Sequence, residues 1–130
     1  MVYQVRYNKY NNRRSEYNGY WYDSSFEASY AMELDIRKKT KDIKDWERQV
    51  RIPVRFNGFL ITTYAMDFKI YHNDDSVEYI ETKGFEDYAW KLRWKCVEAY
   101  LSKEEPDAIL TVVKEKSRWQ YIKKYKGRKK

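Results

Sequence analysis

Tyr64-Ala65-Met66-Asp67-Phe68-Lys69-Ile70-Tyr71-His72-Asn73-Asp74-Asp75-Ser76-Val77-Glu78-Tyr79-Ile80-Glu81-Thr82-Lys83-Gly84 is the stretch on which the fold turns. It reads as two strands and a turn. The first strand carries Asp67 within an apolar run of Ala65, Met66, Phe68 and Ile70. The turn is His72–Ser76, a cluster of turn formers. The second strand is Val77–Lys83 and ends in Glu81-Thr82-Lys83. Side chains alternate along a strand, so Glu81 and Lys83 share a direction and Thr82 points the other way. Folding the hairpin sets Asp67 beside Glu81, with a lysine at the same end of the sheet.

Two carboxylates and a lysine in that arrangement have a chemical use. Paired carboxylates attract a hard divalent cation such as Mg²⁺, which takes oxygen ligands and keeps several waters. Such a cation polarises a phosphate and acidifies a bound water. A lysine beside it orients that water or stabilises charge developing on the phosphate. An i,i+2 ion pair on a solvated face would equally explain Glu81-x-Lys83. Asp67 is harder to explain that way, because a carboxylate among apolar residues is costly unless paired or on a metal, and aspartate is a poor strand former.

The chain of 130 residues suits one domain with a single core, with 42% hydrophobic and 36% charged residues. Its 14 tyrosines and five tryptophans can build that core and still leave rings on the surface. The one cysteine, Cys96, forms no intramolecular disulfide and fits a reducing, cytoplasmic compartment. It lies in an apolar helical pattern and reads as core. No apolar run of membrane-spanning length occurs, so no membrane partner is expected, and the first residues lack signal-peptide architecture. The net charge of +7 is concentrated in a tail: 114–130 holds nine basic residues against Glu115, a net of +8, leaving −1 for the rest. There Arg118, Lys123, Lys124, Lys126 and Arg128 interleave with Trp119, Tyr121 and Tyr125. Charge for phosphates and rings for stacking suit a nucleic acid; a solvating tail is the plainer alternative.

Residues 1–22 read as an aromatic and basic arm followed by a small hairpin or loop at Asn18-Gly19. Arg13 and Arg14 are candidate phosphate contacts, unless the arm packs its rings on the domain. Ser24-Ser25-Phe26-Glu27 is a capping box that opens a helix running to about Lys39. Glu27 aligns with Ala31 and Leu34, on the core side. Trp46–Val54 reads as a strand closed by Pro53, with Glu47, Gln49 and Arg51 on one face and Arg48, Val50 and Ile52 on the other. Glu47 and Gln49 can reach the acidic pair as a supporting shell. Asn57-Gly58 turns the chain into the Asp67 strand. A second helix spans about Glu86–Leu101. Its two apolar stripes, Ala89/Leu92/Cys96/Ala99 and Trp90/Trp94/Val97/Leu101, predict cover on more than one side. Lys91 and Lys95 are candidate phosphate contacts near its first half, or part of a solvated edge. Ala108–Val113 reads as a buried strand, and Ser117–Tyr125 as a short helix entering the tail. His72 reads as an exposed turn residue, with a general-acid role as the alternative.

The element order is helix, three strands, helix, strand. Asp67, a gap, then Glu81-x-Lys83 resembles the active site of the PD-(D/E)XK nucleases, departing at Met66, where that motif has proline. The element order resembles their αβββαβ core over residues 24–113, an α/β domain with a central mixed sheet flanked by helices. Asn18-Gly19, Tyr22-Asp23-Ser24, Glu27-Ala28, Trp46-Glu47-Arg48-Gln49, Tyr64–Phe68 and Glu78–Gly84, in that order, look like a small family of phage-borne endonuclease-like proteins. The resemblance implies Asp67 and Glu81 as metal ligands, the Thr82 carbonyl as a further ligand, Lys83 as the catalytic lysine and Glu27 as a third acid from the first helix.

The expectation is therefore a DNA endonuclease dependent on Mg²⁺ or Mn²⁺. A chain this small has no separate domain for reading bases, which favours recognition of branched or junction DNA by shape. A homodimer would supply two sites for symmetric cuts, in the cytoplasm of a phage-infected bacterium. A non-catalytic nucleic-acid-binding accessory of phage recombination or packaging is the alternative. A basic tail contacting an acidic protein is a third reading.

Overall fold

The computed structural model describes residues 5–7, 13–114 and 123–126, with side chains over 14–114. The chain divides into two compact units, Met1–Asp42 and Ile43–Lys130. The first holds a three-stranded antiparallel sheet, β1 (Val5–Tyr7), β2 (Arg13–Tyr17) and β3 (Tyr20–Tyr22), in that order, followed by helix α1 (Ser25–Lys39). Asn18 and Gly19 both take positive φ, 55° and 88°. That is the mirror-image turn a two-residue hairpin needs. Ser24 caps α1, its Oγ accepting from the Glu27 amide at 3.0 Å. Arg37, Lys38 and Lys39 complement the dipole at the other end. The Tyr17 hydroxyl donates to Asp35 Oδ2 at 2.6 Å, joining β2 to the helix.

The second unit is built on a mixed sheet of order β4 (Asp45–Phe56), β5 (Phe59–Tyr71), β6 (Val77–Lys83), β7 (Ile109–Lys114) and β8 (Lys123–Lys126). All neighbours are antiparallel except β6 and β7, which are parallel. Helix α2 (Tyr88–Glu104) makes the crossover that a parallel pair requires. From α1 to β7 the order is αβββαβ, as the sequence predicts, and the chain is a mixed α/β fold. Asn57 and Gly58 form a second mirror-image turn, with φ of 49° and 82°. Trp90, Trp94, Val97 and Leu101 of α2 pack on Ile52, Val54, Tyr64, Met66, Tyr79, Leu110 and Val112. Among the described residues, no helix is long and apolar enough to cross a membrane.

Several expectations are corrected. Helix α2 buries one stripe only: Trp90, Trp94, Val97 and Leu101 are buried, whereas Ala89, Leu92 and Ala99 are exposed. Cys96 is half-buried against the core. Pro53 does not close β4, which runs on to Phe56. An edge strand needs only its inward amides, so a proline with no N–H is tolerated there. Residues 123–126 are a strand rather than helix, pairing with the free side of β7 at Ile109–Val112; residues 115–122 lie outside the described part. His72 is not a solvated turn residue. Its Nε2 lies 2.8 Å from Glu78 Oε1, and its side chain is only 22% exposed.

Candidate metal and nuclease site

β5 and β6 pair from Tyr71↔Val77 to Phe68↔Ile80, and the next position in that register sets Asp67 opposite Glu81. Asp67 there takes over from the backbone ladder. Its Oδ2 accepts the Thr82 amide at 2.8 Å and the Thr82 hydroxyl at 2.7 Å. The side chain thus seals the point where the two strands part. On the other side of β5, Arg48↔Phe68 and Val50↔Met66 flank a missing pair, Gln49 with Asp67. Gln49 stands at φ +52° in mid-strand, a left-handed conformation that costs a non-glycine residue roughly 1–2 kcal/mol. Strict alternation would put Met66 and Lys69 on opposite faces. Yet Met66 belongs to the core that contains Tyr79, and Lys69 Nζ lies 5.5 Å over the Tyr79 ring. The inward face of the hairpin therefore changes parity at Gln49 and Asp67. The regular alternation expected for Trp46–Val54 fails at that point.

Strand β6 carries two buried glutamates three residues apart. Glu78 is fully engaged, with His72 Nε2 at 2.8 Å and the Thr111 hydroxyl donating at 2.5 Å. Glu81 is 6% exposed, and its Oε1 is buried with no hydrogen-bond partner. Buried polar atoms are nearly always satisfied, so this oxygen calls for a water, an ion or another partner. Burial and then the charge of Asp67 push the Glu81 carboxyl well above the usual range; Lys83, Tyr64 and Trp90 offset this only in part. The donor chemistry fits a hard divalent cation: two carboxylates side by side, one with a free buried oxygen, and the Thr82 backbone adjacent. Among the described residues no group of three or more His, Cys, Asp or Glu gathers, so the rest of a cation's shell would be carbonyl, water or phosphate.

Aromatic residues frame this pair. The Trp90 indole donates to the Tyr64 hydroxyl at 2.8 Å, and that hydroxyl interacts with Glu81. Burial, then the Glu81 charge, push the Tyr64 phenol upward, so it stays a neutral donor. Lys83 Nζ lies 5.1 Å over the Trp90 ring, a cation–π contact that fixes its side chain. Trp90 thus steadies both the lysine and the tyrosine that touches Glu81. Lys114 stands opposite Lys83 in the β6–β7 register and pairs with Glu86. Sequence reasoning missed Tyr64, Trp90 and Lys114. Tyr64 lies three residues from Asp67, and only the parity change brings it to the same side. Trp90 could have been found from Asp87, which caps α2 by accepting its amide at 2.7 Å.

The remaining candidates lie as follows. Glu47 is exposed and accepts the Tyr71 hydroxyl. Glu27 belongs to the first unit, at the third residue of α1, and is buried. Arg14 is half-buried, its guanidinium 5.8 Å over the Trp21 ring. Lys91 and Lys95 are exposed one turn apart on α2. The backbones of Arg13, Lys123, Lys124 and Lys126 lie in β2 and β8. Arg118 and Arg128 lie outside the described residues.

A family model described as "Protein of unknown function (DUF1064)" matches residues 7–117. No curated protein and no solved structure matches the chain.

Proposed function

The chain belongs to the DUF1064 family, whose function is unknown, and we propose that it is a metal-dependent DNA endonuclease of the PD-(D/E)XK type. The observation that carries this is the unpartnered buried oxygen of Glu81 beside Asp67. A cation or an ordered water would satisfy that oxygen, and the second carboxylate beside it favours the cation. In this reading Asp67, Glu81 and the Thr82 carbonyl hold Mg²⁺ or Mn²⁺. The bound cation supplies Lewis acidity at the phosphate and an acidified water. Lys83, steadied over Trp90, orients the attacking water and offsets charge growing on the phosphate oxygens. Tyr64 keeps the Glu81 carboxylate in one rotamer. Gln49, in mid-strand between the Arg48↔Phe68 and Val50↔Met66 pairs, supports Asp67.

The proposed substrate is branched or junction DNA of a phage, gripped at its phosphates by the basic tail, by Arg13 and Arg14 and by Lys91 and Lys95. The enzyme acts as a homodimer with two sites, in the cytoplasm of the bacterial host. The test is cleavage of a labelled four-way junction and its matching linear duplex in Mg²⁺, Mn²⁺ or EDTA. Wild type should cut the junction only with metal. Asp67→Ala and Lys83→Ala should lower the rate at least about a hundredfold while still binding. Normal cutting by Lys83→Ala would remove the lysine from its role. Tight binding without cutting by wild type would make the chain a non-catalytic DNA-binding protein.

A further inference from the structure

The hairpin β4–β5 outruns the rest of its sheet. β6 leaves β5 at Phe68, so residues 50–66 form a two-stranded ribbon. Phe59–Met66 extends past Asp67 for about 26 Å at the rise of a strand. One face of the ribbon, at Ile52, Val54, Tyr64 and Met66, is covered by α2. Its tip is not covered: Phe56 is 69% exposed, Phe59 73%, Leu60 51% and Ile61 55%. Four large apolar side chains around one tight turn form a patch of the kind that marks an interaction site.

The charge around the tip narrows the choice of partner. From Arg48 to Met66 there are three arginines and no acidic residue. Arg51 and Arg55 are exposed, and Arg55 Nη1 donates to the Gly58 carbonyl at 3.4 Å, which draws its guanidinium to the turn. An apolar point flanked by arginines complements a stack of bases flanked by phosphates. Glu104 of α2 lines the cleft beside Arg55 and Phe56 but is accompanied there by Lys103, so a two-fold pairing of tips would still bring Arg55 against its own copy with no acid on either ribbon.

We propose that the ribbon tip is a wedge that enters duplex DNA and unstacks a base step, with Phe56 and Phe59 inserted and Arg51 and Arg55 on the flanking phosphates. Apolar side chains that partly separate a base step kink the duplex and let it wrap more protein. This rests on the reading of the protein as DNA-binding and adds a contact remote from the acidic pair. At about 3.4 Å per base pair, the ribbon reaches roughly seven or eight base pairs from the bond held at Asp67. Unstacking is therefore expected at that offset from the cut.

The experiment uses full-length protein in EDTA, where no cutting is expected, with four-way junctions carrying 2-aminopurine at successive positions of the duplex arms. Wild type should brighten the probe at one offset, roughly six to nine base pairs from the mapped cut. Phe56→Ala with Phe59→Ala should abolish the brightening and weaken binding about tenfold. Phe56→Trp with Phe59→Trp should retain both. These positions are exposed, so the variants should melt like wild type. Unchanged brightening and affinity in the alanine variant, with metal-dependent cutting intact, would overturn the wedge and leave the nuclease standing. So would a wild-type dimer that becomes a monomer in the alanine variant while still brightening the probe; the tip would then be a contact between copies. Absence of any DNA binding by wild type would overturn both readings.

Discussion

Burial of Glu81 beside Asp67 couples the ionisation of one side chain to the stability of the fold. Its carboxyl stands well above the ordinary value of 4.5. Between that value and the raised one the folded chain binds the extra proton, so the contribution of Glu81 to stability is greatest below about pH 4.5 and is lost as pH rises through the folded pKa. Glu81→Gln removes the charge and keeps the shape. In EDTA at pH 8 it should raise the melting temperature by about 4 °C, equivalent to about 1 kcal/mol, with the gain vanishing near pH 4. Mg²⁺ should stabilise wild type and leave Glu81→Gln unmoved. Thermal melts across pH, with and without metal, read this directly; a destabilised Glu81→Gln at pH 8 would show that the buried oxygen has a partner after all. Glu78 gives the internal comparison. It is equally buried, but His72 and Thr111 satisfy it, and it needs no ligand to explain it.

At the scale of the element, the hairpin has a deliberate irregularity. Gln49 adopts positive φ opposite Asp67, and the buried face of both strands changes there. Strain of this kind persists where the surroundings enforce it, and it clusters at functional sites. Gln49→Gly relieves the left-handed backbone but pays the strand-interior cost of glycine, so stability should hold or rise by up to about 1 kcal/mol. DNA cleavage should fall nonetheless, because the amide is lost. A variant that is both less stable and fully active would assign Gln49 a purely structural role. The irregularity also marks the limit of what the sequence discloses. Period-two patterning, two Asn-Gly turns and the Ser24 cap make the element order and the pairing of Asp67 with Glu81 legible. Nothing in Trp46-Glu47-Arg48-Gln49-Val50 signals a left-handed glutamine, because tertiary packing imposes it. The exposure of one side of α2 was likewise hidden: Ala89, Leu92 and Ala99 share the helical period of a buried stripe yet stand exposed among the described residues. Lys123–Lys126 became a strand because β7 offered an open edge, a long-range effect that local propensity does not carry.

For the whole molecule, the decisive quantity is where the positive charge sits. The segment 114–130 carries more than the entire net charge, and its strand β8 closes one edge of the main sheet. Lysines on an edge strand discourage pairing with another chain. The same lysines suit a phosphate backbone. Deleting residues 127–130 removes Arg128, Lys129 and Lys130 beyond β8. The slope of log affinity against log salt should then shrink by up to about 2.7, with the melting temperature unchanged. Anisotropy titrations between 50 and 200 mM salt measure it, and an unaltered slope would take these residues off the DNA.

The parallel junction of β6 with β7 has a consequence for the order of assembly. Asp67 and Glu81 are joined by a short hairpin, whereas Val112, the β7 neighbour of Glu81, arrives only after the whole of α2. Hairpins close within microseconds, and pairings distant in sequence come later. The newly formed acidic pair is therefore expected to stay hydrated until α2 and β7 dock. Under the proposed metal-dependent reading, a cation present during synthesis would meet an open, ionised pair and be enclosed as the sheet completes, so folding itself would load the site.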